Sequence, residues 1–431
     1  MKKFPEAVEK TVLDGGVRLV TERVDSALSV ALGLWVAAGS RDEGLASPGK
    51  TGENGLAHLI EHMVFKGTGR RDKLALAREI DRLGGQTNAF TTKEHTCFHT
   101  RVRPEHLAEA VDLMVDIFQN SLYDEAELAL EKMVIQQEIA MDEDEPEELA
   151  HDLAAAAVWP DHPLGRPVAG TRESVEGLDH RKIRRWLDRH YCGPRLVVSA
   201  AGAVDHQHLA DLLAARLNPR PEIFPRALSG PVSRAGLTVR RRKLEQAHLV
   251  LGSDFPSLTD RRRHAASILS LALGGNMSSR LFQEIRERRG LAYSVYSYYS
   301  PLCDAGRLEI YVGAAPDKIG LARRIILKEL AGLRLSPPAA EEASAAVDGL
   351  VTGLMLGGES MDGRMSRLAK SELIHGRHIS LEELLGEIKA VTREDLLALA
   401  DEFWAEEKLS ACLLGPVKKS DFRMMGNFDE A

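Results

Sequence analysis

Cysteine is scarce in this chain. Four residues, Cys97, Cys192, Cys303 and Cys412, are scattered over 431 positions with no C-x-x-C pair, which suits free thiols in a reducing compartment better than a disulfide framework. No apolar run reaches the about 18 residues that a membrane-spanning helix needs. Long basic blocks are also missing. RRRK at 240–243 and RRRH at 261–264 are short, and the net charge is −8, so nucleic acid is not expected as a partner. The opening MKKFPEAVEKTVLDGG has two lysines but no apolar run after them and no arginine-rich amphipathic pattern. Neither a secretory signal nor an organelle transit peptide is expected from it. The default is a cytoplasmic enzyme.

What the chain does contain is ordinary globular material, 44% hydrophobic and 28% charged residues. Its length suits two domains of about 200 residues each. Residues 10–37 read as strands around an Asp-Gly-Gly turn, followed by a polar loop over 39–54. Residues 72–83 read as an amphipathic helix with Leu74, Ala77, Ile80 and Leu83 on one face, and 84–102 as a turn and one Thr-rich strand. Pro104 opens a helix to about 119, and 124–142 forms another. Residues 219–236 hold four prolines and two glycines and are the expected linker.

The two sides of that linker repeat each other. Residues 178–204 and 391–417 align without a gap at an offset of 213, each running helix, aromatic pair, turn, apolar strand and Gly-x-Val. Pro104-Glu105 matches Pro316-Asp317 at 212, and Glu79-Ile80 matches Glu284-Ile285 at 205. The expected fold is therefore α+β: two tandem homologous α/β units, each a mostly antiparallel sheet with helices packed on one face. The expected division is an N-terminal domain over 1–218, the linker, and a C-terminal domain over 237–431.

Only the first copy contains HLIEH. In a helix over 55–66, His58 and His62 lie four apart on one face with Glu61 beside them. Two imidazoles next to a carboxylate are what a metal-activated water requires, and H-x-x-E-H reverses the familiar H-E-x-x-H. Two histidines leave the metal one protein ligand short. In helix 124–142, Glu131 and Glu138 share a stripe with Val134 and Ile135, and carboxylates on an apolar face are costly unless neutralised. Spacing alone leaves two readings open, a metal neighbourhood or glutamates bordering the buried face. His95 and His99 form a rival pair, but on a strand they lie about 13 Å apart, too far to share an ion.

GLAHLIEHMVFKGT (55–68), with GSRDE (39–43), GGQTNAFTTKEHT (84–96) and EKMVIQQEI (131–139), resembles the pitrilysin/insulysin (insulinase) family of zinc metallopeptidases. Within it the chain is most similar to the short two-domain subgroup that includes mitochondrial processing peptidase and its bacterial homologues. HPLGRPVAGTRESV (162–175), QAHLVLGSDFPS (246–257), SSRLFQEIRERRGLAYSVYS (278–297) and the final LLGPV extend the resemblance over nearly the whole chain. It implies one zinc ion per chain held by His58, His62 and Glu138, with Glu61 as general base and Glu131 supporting the ligands from behind. It implies that Asn88 and Ala89 lie on an edge strand that receives substrate in β-fashion, and that Arg286 and Tyr293 contact the substrate carbonyl. Without the resemblance, Arg286 reads as a helix-surface arginine and Tyr293 as a buried tyrosine. The implied activity is hydrolysis of peptides or unfolded segments in an enclosed chamber. The implied partner is a second copy of the chain, completing each active site across a homodimer. The alternatives are a non-catalytic core-type structural subunit, and a catalytic subunit paired with a motif-less paralogue.

Overall fold

The computed structural model describes residues 6–44, 52–222, 226 and 228–417. Positions 45–51 of the expected polar loop, and 223–225 and 227 of the expected linker, lie outside the described residues. The chain begins with β1 (Ala7–Val12), β2 (Arg18–Arg23), β3 (Val30–Val36), α1 (Leu56–Met63) and α2 (Lys73–Leu83). Next come β4 (Gln86–Thr91), β5 (Thr96–Val102), α3 (Leu107–Asn120), α4 (Glu125–Asp144) and α5 (Pro146–Val158). The first half closes with α6 (Arg172–Glu176), α7 (His180–His190), β6 (Leu196–Gly202) and α8 (His206–Ala214). Beyond them run β7 (Gly236–Arg241), β8 (Ala247–Asp254), α9 (Arg263–Ser270), β9 (Ala292–Pro301) and β10 (Gly306–Ala314). The last elements are α10 (Ile319–Leu335), α11 (Ala340–Gly357), α12 (Met361–His375), α13 (Leu381–Lys389), α14 (Arg393–Phe403) and β11 (Ser410–Gly415).

Two compact units result. The first is built from the described residues of Met1–Ala140, Pro167–Ala227 and Leu354–Glu382, and the second from those of Met141–Arg166, Leu228–Gly353 and Glu383–Ala431. The sheet of the first unit has the order β1-β2-β6-β3-β5-β4, and that of the second β7-β11-β8-β10-β9. Setting β1 aside, the orders superimpose: β2, β6, β3, β5 and β4 correspond to β7, β11, β8, β10 and β9. Each sheet has one parallel pair, β2–β6 or β7–β11, and is otherwise antiparallel. The duplicated, mostly antiparallel α+β architecture read from the sequence is the observed one. The Asp-Gly-Gly turn between β1 and β2 needs its glycines, since Gly15 and Gly16 have φ of +71° and +84°.

In the first unit, β3 is buried along its whole length, as befits a central strand covered on both faces. Val30, Leu32, Leu34 and Val36 join the main core with residues of α1, α3, α7 and α8. Ala31 and Trp35 face the other way, against Met365 and Ala369 of α12. One helix from late in the chain thus covers the back of the first sheet. In the second unit α5 does the same, packing Ala150 and Ala154 on Val250, Tyr311, Cys412 and Leu414. These two helices add a second covered face to the one expected.

Two local expectations change. The segment 84–102 is a hairpin of two strands, not a turn and one strand. The Thr92 hydroxyl accepts the amides of Glu94 and His95 and makes a tight turn inside the Thr-rich run. In α2 the buried residues are Leu76 and Leu83, whereas Leu74 is exposed. Every third residue of a helix drifts about 60° round its axis, so only the Ile80–Leu83 end of the expected stripe reaches the core.

Candidate metal centre and peptidase site

The centre is built on α1, whose position is set from outside the helix. Glu43, in the loop after β3, turns its carboxylate onto the helix N-terminus. Oε2 accepts the Gly55 amide at 3.0 Å and the Asn54 side-chain amide at 3.2 Å, and Oε1 accepts the Ala57 amide at 3.0 Å. These satisfy donors that a helix start leaves orphaned and place an anion at the positive end of its dipole. Gly55 has φ +89°, and a Cβ there would lie 2.6 Å from the Ala169 carbonyl oxygen. The chain therefore enters α1 in a conformation and a space that favour glycine.

From α1, His58 and His62 project side by side with ring centroids 4.6 Å apart. Glu138 reaches across from α4, its Oε2 lying 3.6 Å from His62 Nε2 and 3.9 Å from His58 Nε2. One ligand atom from each of the three lies within 4.8 Å of the others. Donors about 2.0–2.2 Å from a tetrahedral zinc are about 3.4 Å apart, so this two-imidazole, one-carboxylate set would suit that ion. The other nitrogen of His62, Nδ1, donates to Glu131 Oε2 at 3.1 Å, and Glu131 Oε1 meets Lys66 Nζ at 2.7 Å. That contact fixes the His62 tautomer with Nε2 free to ligate.

Burial, helped by the adjacent His62, pushes His58 down to about 4, which favours the neutral imidazole that a metal needs. Glu61 lies on the same helix with its Oε2 buried and lacking a protein hydrogen-bond partner. Burial raises its carboxyl above the ordinary value, against the opposing pull of the Thr91 hydroxyl and His62. An upward shift makes this carboxylate a readier proton acceptor than an ordinary glutamate.

The first unit thus brings His58, Glu61, His62, Glu131 and Glu138 together. Asn88 and Ala89 lie on β4, at the end of the first sheet, paired on one side with β5. The Asn88 side-chain oxygen accepts the Ala89 amide at 2.9 Å. In the second unit, the Arg286 guanidinium stacks 4.5 Å from the Tyr293 ring centroid and 4.8 Å from that of Phe282. Tyr293 is 76% exposed, which corrects the burial read from the residues alone. It follows Ala292 at the start of β9, the last strand of its sheet, where alternate side chains face away from the core. His95 and His99 both lie against the Phe90 ring and take no part in the metal cluster. Sequence reasoning missed the capping role of Glu43, the contact of Lys66 with Glu131, and Thr91 beside Glu61.

Two family models match in tandem: Insulinase (Peptidase family M16) over residues 18–172 and Peptidase M16 inactive domain over 177–350. An uncharacterized zinc protease of Streptomyces coelicolor is 40% identical over 420 residues, 95% of this chain and 90% of that protein. The chain belongs to the M16 insulinase family of peptidases. Among solved structures, a protease from Helicobacter pylori has a TM-score of 0.87 at 19% identity, covering 96% of this chain and all of that one (100%). A chain of complex III2 from Candida albicans has a TM-score of 0.81 at 20% identity, with 97% and 99% covered. At those identities the likeness shows the fold. HLIEH, Glu131 and Glu138 all lie inside the first of the two M16 matches. Among the described residues of this M16 chain, no helix is long and apolar enough to cross a membrane.

Proposed function

We propose that this M16 chain is a zinc-dependent endopeptidase with one zinc per chain, acting on peptides and unfolded segments. The convergence of His58, His62 and Glu138 donor atoms within 4.8 Å, with the Glu61 carboxyl alongside, carries the reading. A bound zinc would polarise the scissile carbonyl and acidify the attacking water. Glu61 accepts the proton from that water and hands it to the leaving amine. Glu131 keeps His62 oriented throughout. The β4 edge, with Asn88 and Ala89, receives the substrate as an added strand, so main-chain hydrogen bonds supply affinity with little sequence demand. Arg286 and Tyr293, stacked and partly solvent-facing, are donors suited to the developing oxyanion.

In this reading the metal chemistry belongs to residues 1–218, the Arg/Tyr pair to 237–431, and 219–236 links them. A homodimer supplies Arg286 and Tyr293 of one subunit to the zinc site of the other, inside an enclosed chamber that admits peptides rather than folded proteins. Four free cysteines suit the reducing cytoplasm. A non-catalytic core-type subunit is the competing reading. It draws on fold alone, whereas the complete ligand set and Glu61 favour catalysis. A heterodimer with a motif-less paralogue is the third. Sizing the purified protein, with zinc analysis and cleavage of a quenched peptide library, separates the three. A dimer holding two zinc ions and cleaving peptides is expected. A zinc-free, inert protein would sink the peptidase, and zinc-loaded chains active only with a second gene product would establish the heterodimer.

A further inference from the structure

We infer that Lys66 is a positioning residue of the metal centre: it pins the Glu131 carboxylate so that Glu131 can hold His62 in its ligating orientation. The inference rests on the zinc reading above and adds a residue to it. The two oxygens of Glu131 are divided between two neighbours. Oε1 meets Lys66 Nζ at 2.7 Å and Oε2 accepts from His62 Nδ1 at 3.1 Å. A carboxylate anchored through different oxygens cannot rotate without breaking a contact. One anchored only by the imidazole can swing about its Cγ–Cδ bond or turn toward the metal.

Surface ion pairs usually contribute little, and a lysine near a glutamate would ordinarily be dismissed on that ground. Here the Glu131 side chain is 6% exposed and Lys66 30%. Removing the ammonium would leave a nearly buried anion with one uncompensated oxygen. Lys73, whose charge is also felt at Glu131, is engaged by Glu127 at 2.6 Å.

The backbone that presents Lys66 is itself fixed. Lys66 lies just past α1, its amide donating to the Met63 carbonyl at 3.1 Å. The next residue, Gly67, accepts the Leu122 amide at 3.1 Å. Thr68 donates to the fully buried Asp116 at 2.7 Å, and Arg71 reaches the same oxygen at 2.6 Å. The ammonium therefore comes from a tied-down turn, as a supporting contact must if it is to hold geometry.

The test is zinc affinity, measured by competition with a chromogenic chelator, on Lys66→Met, Glu131→Gln and the double variant. Methionine keeps the stem and its packing, and Lys66→Gln serves as a second neutral replacement should methionine disturb folding. Loss of a contact that orients a metal-binding histidine weakens zinc about 10–100-fold, and a loss of about tenfold is expected for either neutral replacement. The double variant should bind no more weakly than Glu131→Gln alone, because Lys66 acts through Glu131. Unchanged affinity in Lys66→Met and Lys66→Gln would overturn the inference. So would an equal further loss in the Glu131→Gln background. Wild-type protein taking up no zinc would instead overturn the reading beneath it.

Discussion

Glu43 and Ala57 are joined at the N-terminal end of the helix that carries His58 and His62, the Glu43 carboxylate accepting the Ala57 amide at 3.0 Å while also accepting that of Gly55. Glu43 is 3% exposed, so these charge-assisted bonds are made away from water. Caps of this kind contribute about 1–2 kcal/mol, and leaving the amides buried and unsatisfied costs more. Glu43→Ala should therefore lower unfolding stability by at least about 2 kcal/mol in urea titrations. It should also weaken zinc binding, because the same helix carries both histidines. A stability loss with zinc affinity unchanged would mean that the cap does not set the ligand geometry.

Glu61 is beside the proposed ligands without being one of them. Glu61→Gln should retain zinc at wild-type stoichiometry while lowering kcat by about 10²–10⁴-fold, the usual contribution of a general base. KM should change little, since Gln is isosteric and the β4 edge is untouched. Metal analysis and single-turnover cleavage of a quenched peptide give both readouts. Peptide cleavage at a wild-type rate would remove Glu61 from the mechanism.

His58 and His62 were legible in the sequence because their geometry is local: four residues on one helix fix their relation whatever surrounds them. Glu138 was not legible by spacing. It sits on a different helix, 76 residues beyond His62, on a stripe where an apolar neighbour is equally compatible with a surface border. Only the family pattern distinguished the two. Glu43, Thr91 and Lys66 had no local signal, since each reaches the site from a loop, an edge strand or a turn whose placement depends on tertiary packing. The same limit applies to α5 and α12. An amphipathic pattern tells that a helix buries a face, but not which sheet receives it. The strand order was not legible, because the repeat at an offset of 213 told only that both units share one arrangement and not which strands are neighbours.

Glu6 gives the first unit an acid-sensitive tie. Its Oε2 accepts from His378 Nε2 at 2.9 Å and its Oε1 meets Arg367 at 2.5 Å. Burial works to raise this carboxyl, but the His378 and Arg367 contacts prevail and hold it down to about 2, against an ordinary 4.5. A folded-state value below the unfolded one gives stability that is fully present above pH 4.5 and lost as pH falls toward 2. Discounted for partial solvation, it amounts to about 1–2 kcal/mol. Glu6→Gln should lower stability at pH 7 and flatten the decline between pH 4.5 and pH 2. Urea midpoints measured across that window check it, and parallel curves for the two proteins would contradict it.

The stacked Arg286 and Tyr293 provide the sharpest test of the homodimer. If one subunit completes the zinc site of another, Glu61→Gln and Tyr293→Phe inactivate complementary halves of each site. Either variant alone forms dimers in which both sites are defective. Mixed, dissociated and re-formed in equal amounts, half of the dimers carry one chain of each kind. In such a dimer one site combines both defects, and the other pairs an intact Glu61 with an intact Tyr293. Random reassociation should therefore restore about a quarter of the wild-type activity, as two-fold symmetry requires. Chains that complete their own sites would gain nothing on mixing, since every site would keep its original defect. Measuring activity before and after reassociation, with sizing to confirm that dimers have re-formed, distinguishes the two arrangements without any assumption about the natural substrate.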